Sequence, residues 1–366
     1  MEDTKLTTTN CIPPVSTDNK PRVLAFDFAR GIAILMMVLI HTAVFIGGHD
    51  LINTPTGYIV NSFVCIFAAP VFMFVMGILF SLSSKTTFGV QLSRGFIILL
   101  LGYGLNFLRG TLPISLAMLF GWVEDDYPLE YMLEDDILQF AGIALIAMTL
   151  VKRAIPWSPV WFLLGLGVVI ISPFVWNHGS DNSIVNYVLS LFFGGEEYNY
   201  FPFFPWSAFP LIGMAYGDYF KRTKEQKRFF INGSYPGIIL IIAGLLFELK
   251  FKTGIWTDWY LGKYRQGQIP IPVVMIFSGF QFLWIPLCHV ITTKIRENRF
   301  FTLLFFWSKN VTSFYVIQWI IIGWVCVVLM EIEWPAVILL VIVITFFTDK
   351  FVRLYNNLKK EKTQVK

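Results

Sequence analysis

Long apolar runs separated by short polar stretches fill this chain, and the first, FDFARGIAILMMVLIHTAVFIGG, carries its ionisable residues in one stripe. From Gly31 to Ile40 the run has no charge, so it reads as a helix crossing a membrane. At about 100° per residue, Asp27, Arg30, Ile34, Met37 and His41 fall on one narrow face. At about 1.5 Å per residue, His41 stands roughly 16 Å beyond Arg30, about half of a ~30 Å hydrocarbon core. Ionisable groups at such depth are costly and face a cavity or a bundle interior. Two readings of His41 stand at this point. It is a functional imidazole in line with an acid–base pair, or a buried, hydrogen-bonded structural histidine.

The same pattern predicts about ten spans (nine to eleven), near 29–48, 59–82, 94–110, 136–152, 157–176, 201–220, 234–250, 271–291, 310–330 and 334–349. The stretch FFTLLFFWS (300–308) reads as an extra re-entrant or interfacial piece. The expected fold class is therefore all-α, a polytopic membrane helical bundle. No internal repeat or inserted soluble domain interrupts it. Residues 1–21 read as a flexible cytoplasmic tail, 22–350 as one transmembrane domain, and 351–366 as a cytoplasmic tail. No short apolar core precedes a small-residue cleavage site, so the first run is expected to stay in the membrane.

Composition sharpens this reading. The chain is 56% hydrophobic and 17% aromatic but only 14% charged, well below the charge of soluble domains. A net charge of +4, gathered in short loops, fits membrane orientation and gives no reason to expect a nucleic-acid partner. Cys11, Cys65, Cys288 and Cys326 lack metal or redox spacing, and no metal is expected.

The basic residues follow alternate spans. Lys20, Arg22 and Arg30 mark the first, Lys85 and Arg94 the second, and Lys152 and Arg153 the fourth. KRTKEQKR (221–228) follows the sixth, Lys294, Arg296 and Arg299 the eighth, and Lys350 and Arg353 begin the tail. The opposite loops are acidic: Glu124 to Asp136, Asp181, Glu196, Glu197, Glu331 and Glu333. Only the loop 251–270, with Lys252, Lys263 and Arg265, disagrees. The pattern predicts cytoplasmic termini and a multi-pass protein of the cell (inner) membrane if the source is bacterial. Asp27 and Arg30 then lie at the inner face, His41 near the middle and His49 at the outer mouth.

Five segments, in order, resemble the heparan-α-glucosaminide N-acetyltransferase-like family. LAFDFARGIAILMMVLIH is similar to its first span, D-x-x-RG-ax-x-x-M-v-x-x-[NH], and FAAPVFMFVMGILFSLS (67–83) to its F-P-x-F-x-F-I-x-G span. DDILQFAGIALI (135–146), FPFFPWSAFPLIGMAYGDY (201–219) and FFWSKNVTSFYVIQW (305–319) resemble the I-L-Q-R-I-A, F-P-W and G-K-N-S-L-x-x-Y-x-x-H segments. Together they span about Arg22 to Trp319. Two positions depart: Phe140 stands where an arginine follows LQ, and Gln318 or a neighbour where the late motif has a histidine.

The resemblance implies acetyl transfer from acetyl-CoA, as co-substrate, to a sugar amine or hydroxyl across the membrane. His49, in GGHD, matches the family's proposed catalytic histidine, in a loop of different length, and His41 its mid-helix Asn or His. Asp27 and Arg30 match the signature's acid and arginine, placed to hold the nucleotide donor, and arginine suits phosphate. A purely structural N-cap pairing of Asp27 with Arg30 reads equally from the spacing. Lys309 and Asn310, with Tyr315 beyond them, are candidates for the CoA end, although Lys309 also reads as snorkelling. Asp135, Asp136 and Gln139 are candidates for the sugar acceptor, or helix-end acids favouring the dipole. Trp206 reads as a sugar-stacking platform or a member of the interfacial aromatic belt. His178 reads as a loop residue and His289 as interfacial.

A histidine suits either general-base duty or a transient acetyl-imidazole, because its ordinary pKa lies near neutrality. The expected partners are the lipid bilayer and a glycan or glycolipid acceptor, with a homodimer left open. Two alternatives remain. Integral-membrane sugar O-acyltransferases share the D-x-x-RG and mid-helix histidine pattern, but usually carry paired arginines where this chain has Lys85 and Arg94. A transporter or flippase would use the polar stripe as a path, yet no repeat symmetry supports one.

Overall fold

The computed structural model describes residues 23–83, 87–124, 126–195, 199–252 and 267–364. The expected tail 1–21, Lys85, Asp125, Glu196, Glu197, Lys263 and Arg265 lie outside the described residues. The chain runs through α1 (Leu24–Phe45), α2 (Gly48–Ile52), α3 (Pro55–Phe67), α4 (Ala69–Leu82) and α5 (Phe88–Asn106). A π-helical turn, Phe107–Thr111, leads on to α6 (Leu112–Leu119), α7 (Pro128–Met132), α8 (Ile137–Ala154) and α9 (Ser158–Val175). Then come α10 (Ser183–Phe193), α11 (Phe203–Trp206), α12 (Ala208–Arg222), α13 (Gln226–Phe251) and α14 (Ile271–Lys294). The last three are α15 (Arg299–Lys309), α16 (Val311–Cys326) and α17 (Trp334–Gln364). Among the described residues there is no strand, only an isolated bridge between Asp135 and Asn199.

Local chemistry sets these boundaries. Thr54 accepts a hydrogen bond from Gly57 N at 3.0 Å and precedes Pro55, which opens α3 with its φ already helical. Asp136 caps α8, accepting from Ile137 N at 2.7 Å, and Asn298 caps α15, accepting from Phe301 N at 3.0 Å. Lys152 and Arg153 close α8 where cations favour the helix dipole. The predicted span 59–82 is two helices broken at Ala68, two residues before Pro70. The third continues past 110, through the π-helical turn, to Leu119. Beyond 350, where a tail was expected, α17 stays helical to Gln364.

Eight helices are long and apolar enough to cross a membrane among the described residues, and α15 with α16, bent by 89°, makes a ninth. The protein is an all-α polytopic helical bundle. The run expected as the sixth span is instead the short α11 and the 15-residue α12. Every residue from Ala208 to Gly217 is buried, so α12 is jacketed by protein and has no need to match the bilayer's thickness.

Close backbone approach holds α12 against α4. A Cβ at Gly213 would run into the carbonyl oxygen of Phe74, one at Gly77 into that of Pro210, and one at Gly217 would come within 2.7 Å of Ile78 O. Small residues spaced four apart let membrane helices meet at this range, where dispersion and weak hydrogen bonds substitute for a hydrophobic drive. α1 lies deep in the same core, with Ala29, Ala33 and Val38 fully buried and Gly31 against Leu304 of α15.

Gly213→Ala is expected to destabilise the protein by about 2–3 kcal/mol, since the obstacle is backbone and cannot swing aside. Gly104→Ala, where a Cβ meets nothing within 4 Å, is expected to be neutral or slightly stabilising. Unfolding midpoints in detergent compare the two. Equal midpoints would show that the α4–α12 approach is not tight.

Candidate active site

Arg109 stands at the centre of the π-helical turn, a local widening of the helix that recurs at functional positions. Its Nη2 donates to Glu134 Oε2 at 2.8 Å, and its Nη1 lies 2.7 Å from Asp136 Oδ2 as an ion pair. Tyr315 O–H donates to the same Asp136 oxygen at 2.8 Å. Arg109, Glu134 and Asp136 are all buried, so each depends on the others to offset desolvation. Backbone support comes from two amides. Asn106 Nδ2 donates to Glu134 O at 2.7 Å and Met132 O at 3.2 Å, and Gln139 Nε2 donates to Glu134 O at 3.2 Å.

The arginine reaches His41 through an aromatic ring. Its guanidinium carbon lies 4.0 Å from the centre of the Trp319 ring, and the His41 imidazole stacks on Trp319 at 4.1 Å with an interplanar angle of 28°. Tyr315, Gln318 and Trp319 recur at helical spacing on one face of α16, and all three are buried. A Cβ at Gly323 would strike the carbonyl of Arg109, which brings α16 directly onto the π-helical turn. Gln318 Nε2 sits 3.4 Å from His41 Nδ1, while Gln318 Oε1 has no hydrogen-bond partner. Turned over, that amide would place Oε1 on a protonated Nδ1 and leave the lone pair on Nε2. His41 itself is only half-buried, and its Nε2 makes no hydrogen bond among the described residues.

The three acids at the entry to α8 divide. Glu134 and Asp136, two apart in an extended stretch, both turn to Arg109. Asp135, between them, is 1% exposed, and neither carboxylate oxygen has a hydrogen-bond partner. Burial, and secondarily the neighbouring Asp136, pushes its carboxyl well above the usual range. Burial likewise raises Glu134, with Arg109 pulling it back.

A second polar group lies at the start of α1. Arg30 Nη2 donates to Asp27 Oδ1 at 2.9 Å and its Nε to Ser308 Oγ at 3.1 Å, while Ser308 donates to Asp27 at 2.8 Å. The triangle ties α1 to α15. Lys309 follows it, exposed, at the bend. Asn310 holds the bend by donating to Phe306 O at 2.8 Å and accepting from Asn356 at 2.9 Å.

The sequence-derived candidates thus scatter. His41 joins the Arg109 cluster, and Asp27 and Arg30 stay together some 16 Å away along α1 at about 1.5 Å per residue. Asp136 is committed to Arg109 and Tyr315, and Gln139 supports the backbone of Glu134. Trp206 packs into the core. Its indole is 6% exposed between Phe201 and Phe209, and its N–H donates to Gly267 O at 2.8 Å. The backbone of His49 lies in α2, and its side chain falls outside the described part. Sequence reasoning missed Arg109 and Trp319. The available signal was a lone arginine inside LLLGYGLNFLRGTLPISL, now seen as span interior.

Two outcomes test this electrostatic arrangement. Arg109→Met should cost about 3–5 kcal/mol by stranding two carboxylates, and adding Glu134→Gln with Asp136→Asn should restore most of the loss. A triple variant no more stable than the single one would rule out stranded charge as the cause. Asp135→Asn should raise the unfolding midpoint at neutral pH. An acid whose folded pKa is raised costs nothing below its unfolded pKa of about 3.9 and costs progressively more as pH climbs through the folded value. The variant's advantage should therefore grow with pH from about 4, and a pH-independent difference would refute the assignment.

A family model described as heparan-alpha-glucosaminide N-acetyltransferase, catalytic, matches residues 22–246, more than half of the chain. The match takes in His41, Arg109, Glu134 to Asp136 and Gln139, and stops before the α16 residues that pack on them. No curated protein matches the chain. With an all-α membrane bundle and this match across its first spans, the chain belongs to the heparan-alpha-glucosaminide N-acetyltransferase catalytic family, a family of membrane transferases.

Proposed function

We propose that this protein moves an acetyl group from acetyl-CoA to a hydroxyl or amine of a glycan or glycolipid, with His41 as the proton acceptor. The observation that carries the reading is the half-buried imidazole, gripped by Trp319 and Gln318, whose Nε2 no described residue engages. Family membership supports transferase chemistry, and that chemistry needs such a base.

Acetyl-CoA supplies a thioester as the acyl source. With the Gln318 amide turned over so that Oε1 accepts from Nδ1–H, His41 Nε2 presents a lone pair toward the acceptor. It takes the proton as the acceptor oxygen or nitrogen attacks the thioester carbonyl. The carbon–sulfur bond then breaks and the departing thiolate takes up that proton, so protons balance. Tyr315 is committed to Asp136, which leaves it to position His41 by the edge of its ring at 6.1 Å.

The donor's phosphates are assigned to the end where α1 begins. Exposed Lys309 offers a cation there, Arg30 and Asp27 fix the helix end through Ser308, and Asn310 fixes the bend. The distribution of basic residues supports a cytoplasmic setting for this end and for both termini. His49, in α2 beyond the C-terminal end of α1, is assigned to the acceptor's side.

CoA release from acetyl-CoA, measured in membranes with and without glucosamine, tests the function. His41→Ala should lower acceptor-dependent release by about 100-fold or more, the usual weight of a general base. Full transfer by both His41→Ala and His49→Ala would end the catalytic assignment. If acetyl-CoA neither binds nor turns over, a transport role displaces the enzyme reading.

A further inference from the structure

The extended stretch 134–136 sends alternate side chains to opposite sides, and only one side has its charge answered. Asp135 is almost completely buried, with both oxygens lacking a hydrogen-bond donor among the described residues. Its backbone is fixed by the bridge to Asn199, with Tyr200 N donating to Asp135 O at 3.1 Å. The carboxylate therefore cannot easily swing out to find donors.

Within electrostatic reach of Asp135 are Tyr103 of α5 and Tyr187 of α10. Their hydroxyls lie 2.9 Å apart, and that bond consumes one of the two phenolic protons. The other is left for an outside oxygen. A buried carboxylate without donors is among the costliest groups a fold can hold, and groups kept at such cost concentrate where a ligand completes them.

We propose that Asp135, with the Tyr103–Tyr187 pair within electrostatic reach, forms a subsite for the part of the acceptor that presents two adjacent hydrogen-bond donors. Two neighbouring hydroxyls of a sugar ring fit that description, as does a hydroxyl beside an amine. The assignment rests on the acetyl-transfer reading and makes Asp135 a specificity-determining residue for the acceptor, separate from proton transfer at His41. Asp136, though adjacent in sequence, takes no part, because Arg109 and Tyr315 occupy it.

The test uses the full chain in lipid nanodiscs, with D-glucose and D-glucosamine as probes. Asp135→Asn keeps the shape and removes one acceptor. It should raise KM for the sugar about tenfold, while KM for acetyl-CoA stays within about twofold. Without acetyl-CoA, each sugar should raise the unfolding midpoint of the native protein, and this shift should be lost in the variant. Loss for both sugars assigns the donors to hydroxyls, and loss for glucosamine alone assigns one to the amine; either supports the subsite. Unchanged sugar KM together with an unchanged sugar-dependent shift overturns it. If the native protein transfers no acetyl group at all, the midpoint shift still reports on the subsite, so failure of the transfer reading is seen separately.

Discussion

A guanidinium buried inside a membrane bundle must be neutralised where it stands, and the rest of this site is arranged around that requirement. Arg109 needs two carboxylates, and the chain supplies them from the turn before α8 in an extended conformation that points alternate residues at it. That stretch would leave its own carbonyls unsatisfied, so Asn106 and Gln139 donate to Glu134 O. Asp136 accepts from Tyr315 and also caps α8. The remaining face of the guanidinium rests on Trp319, and the same indole carries His41. One arginine and its two ion pairs thereby fix the relative positions of the π-helical turn, α8, α16 and α1.

How much of this was legible in the sequence depends on the range of each interaction. The stripe Asp27–Arg30–His41 follows from helical periodicity, and the Asp27–Arg30 contact is three residues apart, so both were readable. The partner that completes it, Ser308, is not, because nothing local in FFWSK signals a hydroxyl aimed at α1. Nor does local pattern show that the FFTLLFFWSK helix would turn by 89° into α16. Arg109 was visible as a charge but not as a hub, since its partners lie 25 and more residues away. The acids 134–136 read as one cluster of like residues. Only the extended backbone, seen in three dimensions, divides them into two sides. Trp206 is hidden for a related reason: it ends α11, just before the buried first part of α12, and nothing local in FFPW shows that its indole packs into the core.

The two polar groups on α1 are coupled through one pair of helices. Ser308 meets Asp27 and Arg30, the chain bends at Lys309 and Asn310, and α16 then climbs beside α1 to place Trp319 on His41. A displacement of α15 would therefore be felt at the imidazole without any change in α1 itself, because α16 is its direct continuation. The anchors on the far side of the bend, Trp307 donating to Asp349 at 2.9 Å and Asn356 donating to Asn310, tie the same corner to α17. The corner is held from both sides, which on the proposed reading keeps the base in place while a large donor occupies the adjoining end.

Charge balance completes the argument. The stretch 134–136 sets three acidic side chains against one cation, and only two of them touch it. A fold selected for stability alone would have replaced the third with an apolar residue of similar size, since an unpaired buried acid only subtracts. Asp135 instead sits on a backbone fixed by Asn199 and Tyr200, beside two phenols with one proton to spare. Rigid placement, missing donors and a nearby spare proton are what a preorganised recognition group requires, because the ligand then supplies the donors and meets no reorganisation cost. On the proposed reading the excess acid is half of an interaction whose other half arrives with the acceptor.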